Sequence, residues 1–358
     1  MIFRRMLLRE FANLGVAVFL SLFLIALTTR LIRLLGYAAG GKIPSDAVVA
    51  FLGFSAVGVL PVLLSLTLFI TVLLALNRAW RDSEMVIWFS SGLSLAAWLR
   101  PVLTFAAPLV MVITVLSLVV SPWTVRMAEQ YRTRLDSRDD ISRVDPGTFG
   151  ESGSRDRVFF VESIAGDKSS VQNVFVSSVQ HQRAGVMMSE RGYTEYAPNG
   201  DRFLVMLNGR RYEGVPGQAD FQIADYDRYA MRIQAKEGET PEATQKSLTT
   251  LGLIENPTRG NLAELLLRIG IPLSALLLAL LAIPLSFVNP RAGRSVNLLF
   301  ALLTYMVYSN LLSVSQARVA IGKLSFSTGW WVVHAVMFLL LLALFAPRIA
   351  PYWRLRRG

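Results

Sequence analysis

The chain has 358 residues, of which 53% are hydrophobic and only 17% charged. Soluble domains carry about 25% charged residues, and here the apolar excess is gathered into long runs, which excludes an ordinary soluble globule. With no cysteine there is no disulfide, thiolate metal site or cysteine nucleophile, and two histidines in different regions, His181 and His334, do not make a metal site.

The net charge of +11 is unevenly placed. Between Arg126 and Arg259 stand 18 Lys and Arg against 20 Asp and Glu, which leaves 18 basic and 5 acidic residues around the apolar runs. Basic residues there set membrane topology and meet lipid phosphates. The middle segment offers no basic stripe for a nucleic-acid backbone, so nucleic acid is not an expected partner.

Arg4, Arg5 and Arg9 precede the first apolar run, 11–29. No small-residue cleavage site follows, so the run reads as a retained first span rather than a signal peptide. At its outer end Arg30 and Arg33 are three apart and share a helix face. They either snorkel to bulk headgroups or recognise an anionic lipid headgroup, whose phosphate a guanidinium fork matches. Gly36–Lys42 follows most of a phosphate-binding loop, but Ile43 stands where a hydroxyl residue belongs and no strand precedes it, so a flexible outer loop is expected.

The second run, 47–76, would be roughly 45 Å long as a helix, with Pro61 near its middle predicting a kink. In the loop Asn77–Arg100, Asp82-Ser83-Glu84 makes a plausible helix start, followed by Met85, Val86, Trp88 and Phe89. A helix over about 80–94 then either lies flat on the inner leaflet or docks in a groove of a cytoplasmic protein, with Glu84 as an anionic contact. The third run is 101–122.

Short β-type runs follow: Arg157–Ile164, Val171–Ser178, Gly185–Glu190, Arg202–Leu207, Arg210–Glu213 and Phe221–Ile223. Turn residues such as Asn208-Gly209 punctuate them, which predicts an antiparallel sandwich or open barrel. After Met231 the chain turns polar and reads as a connector. Apolar runs return at 265–288, 296–317 and 328–347, the last containing His334 beside Trp330 and Trp331 as an interfacial or packing residue.

The expected fold class is an α-helical membrane protein with six transmembrane helices and an inserted all-β domain. Its expected segments are 1–122 (three spans), 123–262 (β domain and connectors) and 263–358 (three spans and a tail). With the N-terminus inside, twelve arginines fall on the inner side (4, 5, 9, 78, 81, 100, 291, 294, 348, 354, 356, 357) against six basic residues outside (30, 33, 42, 268, 318, 323). That bias predicts both termini in the cytoplasm and the β domain outside it. No pair of carboxylates, Ser/His arrangement or zinc motif suggests catalysis, and no cofactor is expected in this chain.

Several strings resemble a known family. They are Leu31-Ile-Arg-Leu-Leu-Gly36, Gly41-Lys-Ile-Pro44, Arg81-Asp-Ser-Glu-Met85, Ser91-Gly-Leu-Ser94 and Val158-Phe-Phe-Val-Glu-Ser163, and most specifically Ile283-Pro-Leu-Ser-Phe-Val-Asn-Pro-Arg-Ala-Gly-Arg294. With them the whole chain resembles the lipopolysaccharide export permeases of the YjgP/YjgQ family. The Val-Asn-Pro-Arg part, which carries Asn289, Pro290 and Arg291 ahead of Arg294, points to the F-type rather than the G-type subunit. The resemblance implies an ABC transporter permease of the bacterial inner membrane, paired with a paralogous G-type subunit and two copies of a cytoplasmic ATPase. A single-span partner joins at a gate formed by spans one and five. Together they extract lipopolysaccharide from the outer leaflet and pass it to a periplasmic bridge. The β domain is then a jellyroll whose apolar interior takes acyl chains. The family's coupling glutamate falls on Glu84, with Asp82, Met85 and Trp88 around it, and its two basic positions fall on Arg30 and Arg33. Phe160 and Val176, in apolar strand runs, become candidates for bordering the acyl path, with core packing as the alternative. Lifting acyl chains out of a bilayer costs roughly 0.8 kcal/mol per CH₂, which calls for both ATP and a covered slot. Two other classes remain: a permease of macrolide-exporter or lipoprotein-release type, which has four spans with the large domain after the first, and a non-transporting scaffold.

Overall fold

The computed structural model describes residues 2–40, 43–92, 94–136, 147, 149–151, 157–164, 170–180, 183–196, 202–215, 221–234, 244–287 and 294–355. The chain forms two compact units, one from Met1–Ala128 with Ala243–Gly358 and one from Glu129–Glu242.

The first unit is helical. Its elements are α1 (Ile2–Ala39), α2 (Val48–Arg81), the short α3 (Glu84–Ser90), and α4 (Leu99–Val115) running through a π-helical turn at Leu116–Val120 into α5 (Ser121–Asp136), which belongs to the second unit from Glu129 on. After the β unit come α6 (Thr250–Glu255), α7 (Arg259–Leu285), α8 (Arg294–Ala320) and α9 (Phe326–Leu355). The expected boundary at 123 falls inside α5, and the segment 244–262 belongs to the helical unit.

Among the described residues five helices are long and apolar enough to cross a membrane: Arg5–Ala39, Ser45–Arg81, Leu95–Thr133, Arg259–Leu285 and Phe326–Ala346. The expected run 296–317 forms α8, a helix of 27 residues that is not among them. It has the length for a span, but Thr304, Tyr305, Tyr308, Ser309, Asn310, Ser313 and Ser315 dilute its apolar content. Five of the six expected spans are thus present among the described residues, and α8 is the more polar helix at the position of the remaining one. Pro61 sits inside α2 without ending it.

Helix α7 is the centre of this unit and packs against α2, α4, α8 and α9. Lipid is as apolar as leucine, so helix association needs close packing rather than hydrophobic exclusion. Small buried residues of α7 (Ala263, Gly270, Ser274, Ala275, Ala279 and Ala282) permit that approach. Helix α1 is the opposite case. Leu7 and Phe11 are buried near its start, and Phe11 lies 5.2 Å from Phe105 of α4. Beyond them Val16, Leu20, Leu24, Ile25, Ile32 and Leu35 are exposed.

The second unit is a single six-stranded antiparallel sheet in the order β1-β2-β3-β4-β5-β6. Its strands are β1 (Phe149–Glu151), β2 (Arg157–Ile164), β3 (Ser170–Gln180), β4 (Arg183–Tyr196), β5 (Arg202–Gly214) and β6 (Phe221–Gln234). The inserted all-β domain is present, and each described strand pairs with its neighbour in sequence as a meander. The turn expected at Asn208-Gly209 is not a turn, because β5 runs through it with Asn208 at φ 52°.

A crease crosses this sheet. On one side the pairing runs Val161, Val174, Ser189, Gly209, Tyr226, and on the other Ser163, Gln172, Arg191, Leu207, Arg228. Between the two rows lie Glu162, Asn173, Glu190, Asn208 and Asp227, all exposed, with Asn173 and Asn208 in the left-handed region. An extra residue in a strand moves the residues beyond it to the other face. The buried side accordingly reads Val176, Val174, then Val171 in β3, and Leu204, Met206, then Gly209 in β5. Gly209 is required, since a Cβ there would collide with the Met188 carbonyl and the Tyr226 phenol, whose hydroxyl donates to that carbonyl at 3.1 Å.

Candidate functional site

The candidate side chains lie in three places. The first lies where α1 begins and α2 ends. Arg78, near the end of α2, meets three carboxylates from three elements: Glu10 of α1, Asp82 in the turn after α2, and Glu84 at the start of α3. Its Nε donates to Glu10 Oε1 and its Nη2 to Glu10 Oε2 at 2.8 Å, while Nη1 reaches Asp82 at 3.1 Å and Glu84 at 3.3 Å. Helix α3 turns away from α2 at Ser83, which stands at φ 59°. Its faces are sharply divided. Met85 is buried and Trp88 and Phe89 pack on the helical core, whereas Val86 and Ile87 are 61% and 66% exposed. Of the residues expected to meet a partner here, Met85 is therefore corrected to a core residue, and Ile87 takes its place on the outer face. The helix Glu84–Ser90 is also shorter than the expected 80–94.

The second place is the far end of α1, where Arg30 and Arg33 are both exposed on the helix that leaves most of its apolar surface uncovered.

The third is on the sheet. Phe160 and Val176, both candidates for bordering the acyl path, do not share a face: the register puts Phe160 opposite Phe175 and Val176 opposite Phe159, so the two side chains lie on opposite faces. Val176 is fully buried with Val171, Val174, Met187, Leu204 and Met206. Phe160 lies on the other face, on a row across the sheet of Phe149, Phe160, Phe175, Met188, Arg210 and Asp225. That row borders a concavity of about 640 Å³. Phe149 packs 4.8 Å from Phe160 and edge-on to Phe175 at 6.2 Å. At the polar end Arg210 pairs with Asp225 at 2.5 Å and holds its carboxyl below the usual carboxylate range. Burial raises the Tyr226 phenol on the opposite face.

Residues 5–347 match the family of the lipopolysaccharide export system permease LptF/LptG. The chain belongs to that family. Over 361 residues it is 28% identical to the lipopolysaccharide export system permease protein LptF of Escherichia coli strain K12, with 99% of this chain and 98% of the relative covered. The LptF protein of Shigella flexneri aligns at the same identity and coverage. As an LptF/LptG family permease, the chain is a multi-pass inner-membrane transport subunit for lipopolysaccharide export, with an inserted β domain.

Within this LptF-like chain, the family motif loop Asn289-Pro290-Arg291, together with Gly41, Lys42 and His181, lies outside the described residues. Arg294 opens α8. Sequence reasoning did not reach the Glu10–Arg78 pair, whose partners are 68 positions apart. Nor did it reach two buried polar contacts of the helical unit. Tyr308 Oη and His334 Nδ1 are 2.5 Å apart, which places His334 in the packed interior rather than at an interface. Arg268, counted above among outer basic residues, is 3% exposed and enclosed by five acceptors.

Proposed function

We propose that this permease subunit couples a cytoplasmic ABC ATPase to lipopolysaccharide extraction through α3, with Glu84 as the contact to a basic residue of the ATPase. The observation that carries this is the division of α3. Val86 and Ile87 are presented outward beside a carboxylate, while Met85 and Trp88 anchor the helix to the core. A short helix with an apolar outer face and an adjacent charge suits insertion into a groove. In this reading both termini are cytoplasmic and the β domain is periplasmic, as the arginine bias favours. The uncovered face of α1 meets a G-type partner or lipid and adjoins the single-span subunit. Arg30 and Arg33 hold headgroup phosphates, for which an exposed pair on one face is suited. Acyl chains pass over the aromatic row of the sheet on their way to the periplasmic bridge. Two copies of the ATPase serve the heterodimer.

The test is Glu84→Ala in the reconstituted complex, followed by lipopolysaccharide release per ATP hydrolysed. Loss of a charge-assisted contact, about 1.5–3 kcal/mol, should weaken ATPase retention or uncouple transport while membrane insertion survives. Export at the normal rate with normal ATPase retention would overturn the assignment.

A further inference from the structure

The turn that presents Glu84 has an unusual foundation. Ser83 occupies the N-cap position of α3 but makes no side-chain cap bond, and its backbone is left-handed at φ 59°. A non-glycine residue in that region costs of order 1 kcal/mol or more and persists where its surroundings enforce it. The group that spans this turn is Arg78, which bonds to Asp82 before Ser83 and to Glu84 after it. Arg78 is in turn held from outside the turn. Glu10 of α1, with its side chain only 17% exposed, takes Nε and Nη2 together in a fork-to-fork pair. That leaves Nη1 for the two carboxylates of the turn.

We infer that Arg78, anchored by Glu10, is a positioning residue: it fixes the start of α3 and aims the Glu84 carboxylate at the incoming cation of the cytoplasmic partner. This rests on the coupling role proposed for Glu84 and names what controls it. The bond to Glu84, at 3.3 Å, is the longest that Arg78 makes. Three carboxylates around one guanidinium leave an excess of negative charge, so a partner's cation can take over Glu84 while Glu10 and Asp82 keep Arg78 neutralised. The same arrangement links the first helix to the coupling helix, because Glu10 and Glu84 share one guanidinium across α1, α2 and α3. Lysine in place of Arg78 would keep the charge, but a single ammonium cannot offer a fork to Glu10 and also reach Glu84.

The experiment uses the assembled transporter in lipid and reads lipopolysaccharide released per ATP hydrolysed, with complex yield and melting temperature as controls. Glu10→Gln, nearly identical in shape, and Arg78→Gln should each lower that ratio about tenfold, the equivalent of one charge-assisted bond. Arg78→Lys should recover part of the loss. The charge swap Glu10→Arg with Arg78→Glu restores the α1–α2 pair and the melting temperature but sets a carboxylate against Glu84, so coupling should stay low. Full coupling in the swap would show that the pair only staples two helices, and normal coupling in Glu10→Gln would equally overturn the inference. Glu84→Ala in the same assay separates the two levels. If it transports normally, the coupling role itself fails; if it is uncoupled while Glu10→Gln is not, only the positioning role fails.

Discussion

Replacing Arg268 by methionine tests how the connector after the β unit is fastened to α7. The Arg268 side chain is 4% exposed, and its Nε donates to Glu264 at 3.1 Å. Nη1 donates to the Leu248 carbonyl at 3.0 Å and the Thr250 hydroxyl at 3.2 Å, and Nη2 to the carbonyls of Gln245 and Lys246 at 3.2 and 3.0 Å. Thr250 donates onward to the Leu118 carbonyl at 2.5 Å, at the π-helical turn. Arg268→Met keeps the length of the side chain and removes every donor. Breaking a buried ion pair by deleting one partner costs about 3–5 kcal/mol, because the remaining charge is stranded. Glu264 is 14% exposed and reaches some water, so the lower end of that range, about 3 kcal/mol, is expected. At about 2–4 °C per kcal/mol, the purified protein in detergent should melt about 6–12 °C lower. Limited proteolysis should also find cleavage in the segment 244–250. Arg268→Met with Glu264→Met removes the stranded charge and should recover most of the loss. Equal melting of the single and double variants, or no shift in the single one, would refute the account.

A photo-crosslinker at Phe160 should capture lipopolysaccharide in an ATP-dependent manner, and one at Val176 should label only the protein, since the two lie on opposite faces and Val176 is fully buried. Lipid capture at Val176, or none at Phe160, would reverse the assignment of faces. Arg30→Glu with Arg33→Glu should strip lipopolysaccharide from the purified complex while single alanine changes are partly tolerated, and the loss should soften at high salt because these contacts are exposed. Undiminished lipid in the double reversal would leave both residues snorkelling to bulk headgroups.

The helical unit was legible wherever about twenty apolar residues run together, because a bilayer demands that length of any span. It was less legible at α8, whose hydroxyl-bearing residues take it below the apolarity of its neighbours. Arg268 shows the limit of counting charges. In sequence it is one more basic residue near a membrane edge, and in the structure it is enclosed by carbonyls from a segment some twenty positions earlier. The Glu10–Arg78 pair was invisible for a similar reason, since no local pattern relates residues 68 apart. In α3 the composition was right but the face was not: seven residues are too few for periodicity to say which side turns inward.

The sheet was misread for a different reason. Phe160 and Val176 both lie in apolar strand runs, and the period of two within one strand does not say how the faces of two strands align. Adjacent strands place Phe160 level with Phe175, and so set Val176 one step out of phase. The crease adds a second change of phase within each strand. Asn173 and Asn208 are the sequence signal for it, because asparagine tolerates the left-handed backbone better than other residues with a side chain. Asn208-Gly209 was read as a hairpin turn on the same chemistry, which is why one long strand looked like two short ones. With the crease in place, β3 keeps Val171, Val174 and Val176 on one side, and β5 keeps Leu204 and Met206 with Gly209. The opposite side is left with the aromatic row of Phe149, Phe160 and Phe175, half open to solvent. A sheet that closes one face with its own valines, leucine and methionines has no further use for those rings as core. Their exposure along one row is what favours that face, rather than the buried one, in the proposed path for acyl chains.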